Sequence, residues 1–184
     1  MQILDVNADI RLRYLSTEDA EIIFETIDRQ RTYLGRWLPF VENTKKVDDT
    51  MLFIKSVIES PNKSLEPAYI IQFQDKFCGI IALKGSDPLN LKTEIGYWLS
   101  QDYQHRGIMT MAVRRMVSYI FKDMKFNRVQ IKCAIGNDPS TGIPKRLNFK
   151  FEGIERQGEQ LSRGVFTDLE VYSCIAGEWG KKND

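Results

Sequence analysis

The stretch from residue 93 to residue 122 constrains the fold more than any other part of the chain. Residues 93–99 read as a strand, with Gly96 inside it, and a polar loop follows over 100–106. From Gly107 the apolar period becomes helical: Met109, Ala112, Val113, Met116 and Ile120 fall on one stripe of a helix that reaches about Lys122. Another strand, 128–135, comes next. A strand, a polar loop, a long amphipathic helix and a further strand call for a sheet with a helix packed on its face.

The remaining segments extend that sheet. Residues 10–15 alternate like a half-buried strand, and Ser16-Thr17-Glu18-Asp19 supplies a helix start whose acids suit the dipole. Ala20, Ile23, Phe24 and Ile27 continue at helical spacing. After an irregular stretch over 33–40, a second helix begins near Val47 and ends before Pro61. Residues 68–73 and 77–83 predict a hairpin across Gln74-Asp75-Lys76. Gly96 predicts a bulge or a close approach of backbone to ligand. A short helix over 139–147 and closing strands over 149–155 and 167–176 complete an α/β (α+β) chain with a mixed sheet and helices on its faces.

Bulk properties exclude several classes. The 184 residues predict one domain, 1–184, which buries roughly 70% of its unfolded surface without staples. Twenty-six lysines and arginines stand against 25 acids, so no net field points to nucleic acid or membrane. Cys78, Cys133 and Cys174 are far apart, each in an apolar run, and His105 is the sole histidine; reduced buried thiols and no metal site are the expectation. No apolar stretch has signal length or the roughly 18 residues of a membrane span, which predicts a cytoplasmic protein.

The informative turn is Gln104-His105-Arg106-Gly107-Ile108-Met109-Thr110. A helix start leaves about four N–H donors unpaired and carries roughly half a positive charge, which suits a pyrophosphate. Gly107 admits a phosphate oxygen where a Cβ would intrude, and Arg106 and His105 add charge at the rim. The bland alternative is a helix entry open to water. A Walker loop and a dinucleotide fingerprint are excluded, since neither GKS/GKT nor GxGxxG is present.

With these residues the chain resembles the GNAT acetyltransferase superfamily, whose Q/R-x-x-G-x-G/A turn corresponds to Gln104-x-x-Gly107-x-Met109. Methionine replaces the usual small residue there. Trp37-Leu38-Pro39-Phe40, Glu94-Ile95-Gly96-Tyr97-Trp98-Leu99, Asn127-Arg128-Val129, Asn137-x-x-Ser140 and Phe149-x-x-Glu152-Gly153 give it the character of the RimJ/RimL-like ribosomal-protein N-terminal acetyltransferases. The resemblance spans 10–176. It implies a mostly antiparallel sheet of about six or seven strands with a splayed central pair, acetyl-CoA as cosubstrate, and a primary amine, foremost a protein N-terminal α-amine, as acceptor. It also brings a homodimer as an expectation. The amides of residues 105–110 would hold the pyrophosphate, the strand ending Trp98-Leu99 would pair with the pantetheine arm, and Asn137 would lie beside it.

Many members place a tyrosine acid seven residues after the asparagine; here that position is Pro144. The resemblance instead implies Ser140 as the proton donor to the thiolate and Glu159, in a 158–160 turn, as the base. Glu94 is the competing carboxylate. The structural alternatives stay open: Asp138 and Pro139 starting a helix, an exposed Glu159, and Glu94 bonded to backbone or to Arg128. Pro144 also removes the N–H that would bond the Ser140 carbonyl, so the start of that helix should be distorted. Trp37 and Phe40 would wall the acceptor pocket, or else pack on the sheet. A small-molecule amine acetyltransferase and a non-catalytic acyl-CoA-binding module remain the competing functions.

Overall fold

The computed structural model describes residues 3–180, with Arg163 described in its backbone only. Eight strands form one sheet in the order β1-β2-β3-β4-β5-β6-β8-β7. They are β1 (Ile3–Asp5), β2 (Ile10–Tyr14), β3 (Ala68–Phe73), β4 (Lys76–Asp87), β5 (Lys92–Leu99), β6 (Arg128–Ala134), β7 (Lys150–Gln160) and β8 (Phe166–Ile175). The helices are α1 (Ala20–Arg29), α2 (Arg31–Leu34), α3 (Val47–Ile58), α4 (Ile108–Lys122) and α5 (Asp138–Arg146). The sheet is mixed and mostly antiparallel, and it exceeds the expected six or seven strands because β1, too short to show alternation, pairs with β2. The irregular stretch at 33–40 contains the end of α2 and leads into a 3-10 turn, Pro39–Glu42.

Strand periodicity sorts the core onto two faces. Tyr69, Ile71, Ile81, Ile95, Val129 and Ile131 pack with Ala112, Val113, Met116 and Ile120 of α4 on one face. Ala68, Ile70 and Ile80 point the other way, onto Ile23, Ile27 and Ile54 of α1 and α3. The start of α1 forms as its acids suggest: Asp19 Oδ2 accepts from the Ser16 amide at 2.9 Å. The β3–β4 hairpin turns on Gln74 and Asp75 alone, both at positive φ (50° and 64°), which is the backbone a two-residue turn needs. Lys76 already belongs to β4, opposite Phe73.

Gly96 corrects one of its two expectations, the bulge. It pairs regularly with Ala82 without a bulge, and a Cβ there would meet only the Lys84 methylenes at 3.6 Å. A close approach of a different kind, backbone to backbone, lies one strand away at Gly79, where a Cβ would fall 2.2 Å from the Trp98 carbonyl oxygen. The three cysteines are free and buried. No helix among the described residues is long and apolar enough to cross a membrane.

Candidate active site

The site begins where two parallel strands part. β5 and β6 pair only through Lys92–Arg128, Thr93–Val129 and Glu94–Gln130. Beyond Glu94 the two strands diverge, and the gap leads into a cavity of about 630 Å³ lined by β5, α2, the start of α4 and the first turns of α5. The expected splayed pair is therefore β5 and β6.

One wall is the start of α4. Gly107 caps the helix at φ 73°, a left-handed backbone that glycine adopts freely, and His105 also has positive φ, 59°. The Met111 amide donates to the Gly107 carbonyl at 3.0 Å, so the amides of Ile108, Met109 and Thr110 stand ahead of that first rung. Arg146, which sequence reasoning missed, reaches across from α5 and donates to Thr110 Oγ1 at 3.1–3.2 Å. A guanidinium at the positive end of a helix dipole is electrostatically unfavourable unless an anion sits between them. The donor set therefore fits a pyrophosphate. Its only sequence signal was a position in the last turn of α5.

The loop feeding α4 is clamped from α1. Gln30, buried, accepts from the Gln101 amide at 2.9 Å and donates to Ser100 Oγ at 2.9 Å. Gln104 donates to the Tyr33 hydroxyl at 2.6 Å. Trp37, Trp98, Leu99, Gln104, His105, Gly107, Ile108, Met109 and Thr110 all line the cavity. Arg106 does not; its guanidinium stacks over Phe73 and Tyr103, 6.0 and 5.6 Å from the ring centroids. Phe40 lies outside the lining as well, in the 3-10 turn and 41% exposed.

The opposite wall is α5. Its N-cap is Asn137, not Asp138, and the Asn137 side chain makes no capping bond but lines the cavity. Ser140 Oγ lies 3.3 Å from Cys133 Sγ and 3.4 Å from the Tyr97 hydroxyl. Pro144 sits inside the helix, and the carbonyl it leaves unbonded, that of Ser140, accepts from the Tyr97 hydroxyl at 3.1 Å. Burial raises the pKa of Tyr97 well above that of a free phenol, and it raises that of the Cys133 thiol too. Tyr97 was quoted in the sequence only as part of a strand; its partner was 43 residues away.

The carboxylates stand on the sheet face that α1 and α3 cover only in part. Glu94, buried, meets Lys84 Nζ at 2.8 Å through Oε1, and Oε2 accepts from Gln130 Nε2 at 3.0 Å. Both are cross-strand neighbours. Lys132 Nζ, 3.9 Å from Glu94, is closer to Glu155 at 2.6 Å. Arg128 is not the partner of Glu94; it makes a bidentate pair with Glu152 at 2.5–2.6 Å. Glu159 lies in strand β7 opposite Thr167 and not in a turn. Burial works against the Lys84 charge, yet the bond to Glu94 and the charges of Glu94, Glu159 and Glu155 outweigh it and raise its pKa. Glu159 is thus part of the same electrostatic field. Neither Glu94 nor Glu159 lines the cavity itself.

Comparison with known proteins agrees with this architecture. A family model described as an acetyltransferase (GNAT) domain matches residues 9–150. The chain is 34% identical over 178 residues, 95% of both chains, to YdaF of Bacillus subtilis (strain 168), provisionally named a ribosomal N-acetyltransferase. It is 24% identical over 172 residues, 94% of this chain and 96% of the other, to the ribosomal-protein-serine acetyltransferase of Escherichia coli (strain K12). Among solved structures, RimL, a ribosomal α-N-protein acetyltransferase in complex with coenzyme A, superposes with a TM-score of 0.89 at 23% identity, over 95% of this chain and 98% of that one; at this identity it attests the fold.

Proposed function

The chain belongs to the GNAT acetyltransferase family, and from that premise we propose that it moves the acetyl group of acetyl-CoA to the α-amine of a protein N-terminus. The observation that carries this reading is the parting of β5 and β6 beside an amide-rich helix start, at a cavity that the free part of β5 and the start of α4 line together. The ribosomal-protein names of its relatives favour a protein terminus over a small amine.

Acetyl-CoA supplies an acyl group already activated as a thioester. The residues present fit it in pieces. The amides of Ile108, Met109 and Thr110 and the Arg146 guanidinium would neutralise the pyrophosphate, and the unpaired edge of β5 at Trp98 and Leu99 would hold the pantetheine amides. Asn137 would flank that arm. An α-amine titrates near 7.7–8.0, so a carboxylate need only complete its deprotonation. Glu159 is assigned that task, because both oxygens of Glu94 are engaged by Lys84 and Gln130. A free thiol has a pKa of about 8.5, so the departing sulfur needs modest acid help, and Ser140 Oγ is the donor assigned to it. Alignment of the two substrates carries much of the rate.

The test is acetylation of a peptide panel with mass detection, comparing wild type with Ser140→Ala. Transfer to N-terminal amines with kcat reduced about tenfold or more in the variant, at similar acetyl-CoA affinity, is the expected result. Transfer confined to small amines removes the acceptor reading, and an unchanged kcat reduces Ser140 to a helix residue.

A further inference from the structure

The assignment of Ser140 leaves the question of what holds its hydroxyl in place. α5 departs from a regular helix at one atom, because Pro144 has no N–H to give the Ser140 carbonyl. A buried carbonyl without a partner costs about 1–3 kcal/mol. This one is not left so: the Tyr97 hydroxyl donates to it at 3.1 Å from the diverging half of β5. The same phenol oxygen is 3.4 Å from Ser140 Oγ, and Cys133 Sγ, on β6, lies 3.3 Å away on the other side. Ser140 therefore bridges the two strands at the place where they separate.

We propose that Tyr97 is the positioning residue of the proton donor: its hydroxyl occupies the carbonyl that Pro144 leaves unbonded and thereby fixes the Ser140 turn with Oγ facing the β5–β6 gap. Pro144 and Tyr97 act as a pair. A residue with an N–H at 144 would compete for the carbonyl and release the phenol. The phenol itself stays neutral throughout, since its hydrogen is committed to a carbonyl and its surroundings disfavour a buried phenolate. Tyr97 thus brings a phenol to the helix that lacks a tyrosine at 144, but as an anchor and not as an acid.

The inference rests on Ser140 acting at the sulfur, and a double-mutant cycle tests it separately. Tyr97→Phe, Pro144→Ala and the double variant are assayed for kcat, for the acetyl-CoA KM and for the pH profile of kcat. Removing the phenol oxygen should lower kcat about tenfold when Pro144 is present, with KM changed less than about twofold. In the Pro144→Ala background, where the new N–H satisfies the carbonyl, the same removal should cost less than about twofold. The alkaline limb should stay in place in every variant. An equal loss in both backgrounds overturns the proposal, as does full kcat in Tyr97→Phe; a displaced alkaline limb would make Tyr97 the acid instead. If Ser140→Ala is impaired and Tyr97→Phe is not, this inference fails while the assignment of Ser140 survives.

Discussion

The cavity and the charged sheet face outside it are built from different materials. The proposed cofactor side consists of backbone: amides at the start of α4, the free edge of β5, and the first turn of α5, with Arg146 as its main charged side chain. The proposed acceptor side, that sheet face, consists of side chains: Lys84, Glu94, Gln130, Lys132, Glu155 and Glu159, contributed by four strands and spread from residue 84 to residue 159. A backbone site needs a particular local conformation and tolerates many side chains, as Met109 at the usual small position illustrates. A side-chain site needs particular residues and tolerates little loss of pairing. The first should therefore be broken by conformation and charge at a single residue, and the second by titration.

Gly107→Glu is the sharpest way to test that division and carries the largest expected effect. It places a carboxylate at the proposed phosphate position and imposes a side chain at φ 73°. Acetyl-CoA affinity should fall about 100-fold or more, close to 2.7 kcal/mol, and the thermal shift given by the ligand should vanish. Gly107→Ala separates strain from charge; a loss as large as that of the glutamate would show that anion repulsion is not the cause. Gly79→Ala comes next. Its Cβ would overlap the Trp98 carbonyl at 2.2 Å, and backbone cannot give way there cheaply, so unfolding should become easier by about 1–3 kcal/mol in urea titration. Arg146→Ala is milder: the acetyl-CoA KM should rise about tenfold with little change in kcat, because the guanidinium binds ground and transition states alike. A fall in kcat at constant KM would contradict that.

The elements that line the cavity were legible in the sequence because their determinants are contiguous. The strand, loop, glycine and amphipathic stripe of 93–122 lie within 30 residues, and β5 and α4 form where that pattern puts them. The apolar periods also gave the sheet and the two helical faces, since a period of two or 3.6 directly encodes which side is buried. What escaped was decided by pairing at a distance. Register sets Lys84 and Gln130 on either side of Glu94 and gives Arg128 to Glu152, and no local pattern specifies which cation finds which acid. Glu159 read as a turn because Gly158 precedes it, yet pairing with β8 overrides that preference. The freed carbonyl of Ser140 was legible from Pro144 alone; its partner Tyr97 was not, because that contact depends on where β5 ends beside α5.

The smallest effect is also the one that best separates the two sides, and it concerns Glu152. On the charged sheet face, the bidentate Arg128 guanidinium holds this carboxyl down at about 2, well below its ordinary range near 4.3, and the Ser173 hydroxyl adds a bond. Because the folded pKa is the lower one, the pair contributes its full stability above about pH 5. That contribution is lost as pH falls from near 4.3 through 2, and it is gone below both values. Glu152→Gln should thus lower the melting temperature slightly at pH 7, less near pH 2, and not at all below it, so that the two curves converge through that window. The pair is partly open to solvent, which keeps the difference small and makes it shrink further in high salt. Since the proposed cofactor side is built of amides and a guanidinium, which do not titrate there, the affinity of the folded variant for acetyl-CoA should match wild type throughout. Parallel melting curves would mean that Arg128 does not stabilise the charged form of Glu152. Altered affinity would mean that the cavity and the charged sheet face are coupled, and the division between a backbone site and a side-chain site would fail.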